Sequence, residues 1–478
     1  MPFFRRPAHA AAAGDPIPFA HDGRLHLFYL SSPEGPLDYP GRVRTTWQHA
    51  VSDDLLSWRE LPPAVAPGEP GSYDAGGIWT GSVVEHAGTF YLFYTAHDPG
   101  AANPQTICVA TSTDLVEFER HPGNPLLLPA PGCEAVDWRD PYVFFNREEG
   151  RWWMLIAARR ADGPRWSRGC IMLAVSDDLL TWQVEPEPFY APGDTFCPEC
   201  PELWEYDGRW YLVFSRFSER VGTIVRVGDT SRGPFRVPIR EELGGRRWYA
   251  AKSAPWGEER AFFGWVHDVV DDQGAGRRRW LWGGDFALPR LVRPEQTVDG
   301  IVLRVRSAVE VPSGEVVGCL DERELGNAGG HQEAAVVADV PHRAVVDASF
   351  TTGDVSSVGL DLARGDGDEV LRLEVDLRRS ETRLSVEPQP LDDFWADLTG
   401  SATRYREVDG PVLAFARLYG ATGAPVRLRV VLDHDLLEAY VNDDVVLTQR
   451  IERVAEESIH VFALDGTTTV SATVARLG

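Results

Sequence analysis

Methionine and cysteine are scarce in this chain, at 3 and 6 of 478 residues. Six cysteines, at 108, 133, 170, 197, 200 and 319, are too few to staple a fold of this length, so they are expected to be reduced thiols in a cytoplasmic protein. No apolar run reaches the roughly 20 residues that cross a bilayer. The opening MPFFRRPAHAAAAG has two arginines and a run of alanines but no apolar core of signal-peptide length, and cleavage there would end just before Asp15. A basic cluster is missing too. The 47 Lys and Arg residues face 72 Asp and Glu, a net charge of −25, which argues against nucleic acid as a partner. What the chain has in abundance is glycine (45), proline (35) and tryptophan (16), the signature of many turns between short aromatic strands.

The aromatic strands repeat. A turn glycine followed by an aromatic strand occurs at Gly23 (HDGRLHLFYL), Gly88 (HAGTFYLFYT), Gly150 (EEGRWWMLIA) and Gly208 (YDGRWYLVFS), spaced 65, 62 and 58 residues apart. Interleaved with these are VSDDLLSW from Val51, TSTDLVEF from Thr111 and VSDDLLTW from Val175. A weaker fifth unit runs through 258–268 and 277–290. Apolar residues alternate (Leu25, Leu27, Tyr29; Tyr91, Phe93) with the period of a strand, which excludes a helical solenoid. Units of this length and composition make a five-bladed β-propeller over residues 1–310. A Gly- and Glu-rich stretch, 311–329, reads as a linker. Beyond it tryptophan almost disappears, leaving only Trp395, and valine-rich alternation predicts a β-sandwich over 330–478. The whole is expected to be all-β.

Aligned on their turn glycines, three units carry an acid at nearly the same station: Asp15 eight residues before Gly23, Asp140 ten before Gly150, Glu199 nine before Gly208. Equivalent stations in a propeller converge on its axis, so three acids far apart in sequence are expected to meet. The second unit has Trp79 and Thr80 there. An aromatic wall beside acids suits a sugar, which offers a C–H face and hydroxyls. Proline follows each acid within two residues (Pro16, Pro141, Pro201). A single Asp-Pro pair is an ordinary turn starter, but three in register point to a site.

These residues bring a family into view. Residues 14–310 resemble the catalytic propeller of glycoside hydrolase family 32, the invertases, levanases, inulinases and fructosyltransferases, and the remainder resembles that family's C-terminal sandwich. The resemblance rests on WRDP (138–141), ECPEL (199–203), TWQHAVSDDLLSW (46–58), WTGS (79–82), WYAAKS (248–253), GWVHD (264–268), WGGDFALPR (282–290) and, late in the chain, LDHDLLEAYVNDDVVLTQRI (432–451). It implies that Asp15 is the nucleophile, Glu199 the general acid/base and Asp140 the transition-state stabiliser gripping two ring hydroxyls. Trp47, Trp79, Thr80, Arg139 and Trp265 would bind substrate. Retaining glycosidases set one carboxyl to attack and one to donate, about 5–5.5 Å apart. Arg139 and the charge of two aspartates are expected to separate their pKa values from that of Glu199. No metal or cofactor is implied.

The chain departs from the family at the pocket. The usual Trp-Met-Asn-Asp-Pro-Asn-Gly opening reads AAAGDPIPF, which puts Gly14 and Ile17 at the Asn positions. Leu30 replaces the usual Gln, and Trp79-Thr80-Gly81-Ser82 the usual Phe-Ser-Gly-Ser. The expected activity is release of terminal fructosyl units from sucrose or short fructo-oligosaccharides. The alternatives are an arabinofuranosidase-like hydrolase, a fructosyltransferase and a catalytically silent sugar-binding propeller. Cys197-Pro-Glu-Cys200 has redox or metal spacing, but lacks the βαβ context or second pair that either role needs. His26 and His49 read as packed histidines, and Asp53-Asp54 and Asp177-Asp178 as solvated turns. The sandwich is a candidate for homo-oligomer contact.

Overall fold

The structure is a computed structural model and describes residues 5–7, 9–218, 221–272, 277–351, 353–365, 369–389, 410–420, 425–454 and 456–478; Trp395 lies outside them. Among the described residues there is no α-helix, and only two short 3-10 turns interrupt the strands. The chain forms two compact units, Phe3–Asp268 with Leu281–Ile301 and Val269–Trp280 with Val302–Gly478.

The first unit is a five-bladed propeller. Its innermost strands are Ala13–His21, Gly77–His86, Cys133–Asn146, Glu199–Tyr206 and Trp248–Trp256. Each pairs antiparallel with the next strand in sequence, and the first four blades complete themselves with two further strands each. In the turn before each second strand, glycine takes the left-handed conformation that a tight hairpin demands, as at Gly23 (φ 73) and Gly208 (φ 71). The strand Arg277–Phe286 pairs both with Glu259–Asp272 of the fifth blade and, at Gly284 opposite Ala13, with the first blade. That pairing joins the last blade to the first, leaving no open edge between them.

The recurring Ser-x-Asp turns are solvated, as expected, and are capped by their own side chains. Ser52 Oγ donates to Asp54, and Asp54 accepts the N–H groups of Leu56 and Ser57 at 2.9 and 2.7 Å. The same bonds recur at Ser112/Asp114 and Ser176/Asp178. Asp53, Asp54, Asp177 and Asp178 are all exposed.

Tryptophan fills the seams between blades. Phe28 and Trp47 of the first blade pack on Leu92 and Tyr94 of the second, Phe93 on Trp138 and Met154 of the third, and Trp153 on Leu212 and Phe214 of the fourth. Trp47, Trp138, Trp153, Trp248 and Trp265 are all under 2% exposed. Each such ring removes roughly 150–250 Å² from water, about 4–6 kcal/mol gross by area.

In the second unit, one long strand, Glu457–Leu477, serves both faces of the sandwich. Its first half pairs with Ser357–Arg364 and its second half with Arg343–Thr351. Between the halves the strand bends at Gly466 (φ 136), where a Cβ would sit 2.7 Å from the Asp354 backbone, so only glycine fits. Leu360, Leu373 and Leu384 of one face meet Val346, Val430 and Leu437 of the other in a single core. The expected linker needs correction: Ser313–Val337 is one strand, paired along its length with Glu457–Leu477. Its repeated bulges break the alternation that would have marked it as a strand.

Candidate active site

Every innermost strand carries the same irregularity. Its pairing with the second strand slips between Gly14 and Ile17, Trp79 and Gly81, Arg139 and Tyr142, Glu199 and Glu202, and Tyr249 and Lys252. At four of these bulges one residue is left-handed: Asp15 (φ 43), Asp140 (φ 61), Cys200 (φ 49) and Ala250 (φ 47). That conformation costs a non-glycine residue about 1–2 kcal/mol, and bulges of this kind re-aim side chains at the rim of a sheet. Proline follows Asp15, Asp140 and Cys200, where the broken ladder has no use for an N–H. The bulge residues Asp15, Trp79, Arg139, Asp140, Glu199, Cys200, Tyr249 and Ala250 together line one cavity of about 260 Å³.

The three acids are therefore in one place. Measured from the bulge, Asp15 and Asp140 are equivalent, while Glu199 stands one residue earlier, at the station Tyr249 holds in the fifth blade. Glu199 is gripped on both oxygens: Arg139 donates to Oε1 at 3.0 and 3.2 Å, and the Tyr249 hydroxyl donates to Oε2. Arg139 is held in turn by Asp137 at 2.6 Å and Gln105 at 3.2 Å. Asp140 Oδ2 accepts the Cys200 N–H at 2.9 Å, and Asp15 Oδ1 accepts the Trp265 indole N–H at 3.0 Å.

Burial sets the electrostatics. It raises the pKa of Asp15 well above the usual range, and the Asp140 and Glu199 carboxylates raise it further against the opposing Trp265 hydrogen bond and Lys252 charge. Asp140 and Glu199 are also raised by burial, each partly offset by Arg139. The expected separation by Arg139 is thus corrected. Its guanidinium bonds to Glu199 and opposes the upward push of burial on both acids. Asp140 also raises Glu199, so the titration of these two belongs to the pair.

Of the five expected binding residues, Trp79 and Arg139 line the cavity and three do not. Trp47 is fully buried and donates to the Trp79 carbonyl at 2.9 Å, while Trp79 donates to Val43 and stacks on His97 at 4.0 Å. Trp265 is fully buried and holds Asp15. The Thr80 carbonyl accepts the Thr95 hydroxyl, which itself accepts the Asp140 N–H at 2.8 Å. These three act on the lining from behind.

Sequence reasoning missed Tyr249, Gln105, Asp137 and Trp282, which also line the cavity. Tyr249 stands in the fifth repeat at the station of Glu199, a signal that the weaker repeat obscured. Trp282 explains Gly14: a Cβ there would lie 3.0 Å from the indole, so the ring occupies the space of a side chain at position 14. Leu30 joins the lining, while Ile17 is buried.

Other groupings are weaker candidates. Cys197 and Cys200 are free and buried, their thiols pushed well up by burial, and Cys200 serves through its backbone N–H. His331, Glu333 and Asp361 cluster in the second unit, where Arg372 donates to both Asp361 oxygens at 2.8 and 2.6 Å and takes a cation's place. An open groove of about 950 Å³ on that unit is lined by Glu310, Asp321, Asp347 and Asp443, of which Asp347 pairs with Arg429.

Comparison with known proteins gives one answer for both units. The family described as glycosyl hydrolases family 32 N-terminal domain matches residues 14–303, and its C-terminal counterpart matches 324–476. The raffinose invertase of Escherichia coli is 30% identical over 61% of this chain and 62% of its own length, so the chain spans just under two thirds of that relative. The sucrose-6-phosphate hydrolase of Escherichia coli is 26% identical over 93% of this chain and 87% of that protein. Among solved structures, fructan 1-exohydrolase IIa of Cichorium intybus superposes with a TM-score of 0.76 at 19% identity, covering 99% of this chain and 96% of that one.

Proposed function

This chain belongs to glycosyl hydrolase family 32, and from that premise we infer that its propeller site removes terminal β-fructofuranosyl units from sucrose and short fructo-oligosaccharides by a retaining double displacement. The observation that carries the reading is the convergence of Asp15, Asp140 and Glu199 on one cavity. Asp15 attacks the anomeric carbon while Glu199 gives its proton to the departing glycosidic oxygen. Glu199 then takes a proton from water, whose oxygen displaces Asp15. Asp140 accepts hydrogen bonds from ring hydroxyls, and its charge faces the cation that develops in each transition state. Trp79 and Trp282 offer the sugar aromatic faces.

Size and charge narrow the substrate. A cavity of about 260 Å³ falls below the roughly 300–1,000 Å³ of drug-sized sites, which suits one terminal sugar unit. Its lining has four carboxylates, Asp15, Asp137, Asp140 and Glu199, against Arg139, which is already engaged; this favours an uncharged sugar over a phosphorylated one. A cytoplasmic setting accords with six free thiols and with a small imported substrate. A second reading, cleavage of another furanoside such as an arabinofuranoside, is favoured by Leu30 and Trp282 in the lining.

Product analysis on sucrose, 1-kestose, inulin and levan, with aryl fructo- and arabinofuranosides alongside, separates the readings. Free fructose from sucrose and kestose supports the first; larger oligosaccharides in place of free fructose mean transfer. Release from the arabinofuranoside alone favours the second reading.

A further inference from the structure

The chain has 47 basic residues and a single lysine, Lys252, which leaves 47 − 1 = 46 arginines. This lysine is in the innermost strand of the fifth blade, Trp248–Trp256, two residues beyond the bulge at Ala250. The same step past the other bulges reaches Ile17, Ser82, Tyr142 and Glu202. A second ring of side chains thus follows the ring that lines the cavity. Lys252 is 1% exposed and makes no hydrogen bond among the described residues, and its Nζ lies 5.4 Å from the centroid of the Tyr142 ring.

The groups around it define what it does. Its charge acts on Asp15, Asp140 and Cys200 of the cavity ring and on Glu202 of its own ring. Glu202 is already satisfied: it accepts the Ser253 N–H at 2.9 and 3.0 Å and the Ser253 hydroxyl at 2.7 Å, and Arg260 both acts on it and bonds to that hydroxyl. Arg139 is committed to Asp137, Gln105 and Glu199. Among the described residues, Asp15 accepts from one neutral donor, the Trp265 indole. A guanidinium would bring five N–H donors in a rigid plane into this enclosed space, whereas an ammonium is a compact charge. That is a physical reason for lysine at this one position in a chain that otherwise uses arginine.

We propose that Lys252 is a positioning residue of the hydrolysis, the buried counter-charge that lets Asp15 act as a carboxylate nucleophile. This rests on Asp15 being the group that attacks. Without the ammonium, the aspartates bind protons more readily, so less of the enzyme holds an ionised nucleophile at low pH. In Lys252→Met, which keeps the volume and burial, the acidic limb of the kcat/KM profile should move towards neutrality. The loss should be tenfold or more at about pH 5 and shrink as pH rises, because a limb displaced by one pH unit costs a factor of ten on its slope. An equal loss at every pH, with the limb unmoved, overturns the proposal and leaves a structural role.

The unique lysine also allows a test on the native chain. Protein grown with lysine labelled at Nζ gives one side-chain nitrogen signal. That signal should move through the pH range of the acidic limb and lose this step in Asp15→Asn. A signal that holds still across the range, or steps identically in Asp15→Asn, overturns the proposal even if Lys252→Met does not fold. Failure of the native enzyme to cleave any fructoside would sink the functional reading instead, and the nitrogen signal would still decide on the pairing of Lys252 with Asp15.

Discussion

Tyr249 and Trp282 are the residues whose substitution reads the site most directly. The Tyr249 hydroxyl donates to Glu199 and so favours its ionised form. Replacing Tyr249 by Phe removes a bond to a charged group, typically about 1.5–3 kcal/mol, so the pKa of Glu199 should rise further. The general acid then keeps its proton longer. The basic limb of kcat/KM should move up in pH, and a limb that stays put or falls would contradict this pairing. Trp282 lines the cavity and, among the described residues, makes no bond to the three acids. Trp282→Ala should raise KM for sucrose roughly tenfold, about 1.4 kcal/mol, with a smaller change in kcat; an unchanged KM would show that the ring only packs on Gly14.

Strand pairs carry the next layer of behaviour. His26 and His49, from neighbouring strands of the first blade, face each other with Nδ1 and Nε2 2.9 Å apart, and His49 stacks on Phe28 at 4.0 Å. Burial lowers their pKa values to about 4 and about 3. A lowered histidine contributes stability above its unfolded value of about 6.5, and that contribution is lost as pH falls from there towards the folded values. The thermal unfolding midpoint should drop between about pH 6.5 and pH 4, and the double substitution His26→Gln with His49→Phe should flatten the drop. A midpoint equally steep in both proteins would assign the acid sensitivity elsewhere.

Turn glycines and Ser-x-Asp turns are local chemistry, so the blades and the acid stations are visible as repeats. The bulges are not, because a one-residue slip leaves no mark in composition. That is why sequence alone sets Glu199 level with the aspartates and passes over Tyr249 and Lys252. Trp47 and Trp265 are expected against the sugar since sequence tells an aromatic residue from a polar one, but not the face of a strand from its back. Trp282 reaches Gly14 from the closing strand, a contact between residues 268 positions apart that no local pattern announces.

For the whole molecule, the net charge of −25 meets any substrate before the cavity does. An uncharged sugar feels no long-range field, whereas a sugar phosphate is repelled until salt shortens the Debye length to about 10 Å near 0.1 M. Turnover of sucrose should therefore be flat with ionic strength. Turnover of sucrose 6-phosphate should be poorer at low salt and recover as salt is added; a preference for the phosphate at low salt would overturn the uncharged-sugar reading. The proposed bond between Asp15 and the fructosyl unit can be tested by mass. Rapid quenching of the enzyme with an activated fructoside, using Glu199→Gln to slow the second step, followed by peptide mapping, should place one anhydrofructosyl mass on Asp15 and none in Asp15→Asn. A label on another residue, or full turnover by Asp15→Asn, would rule out Asp15 as the nucleophile.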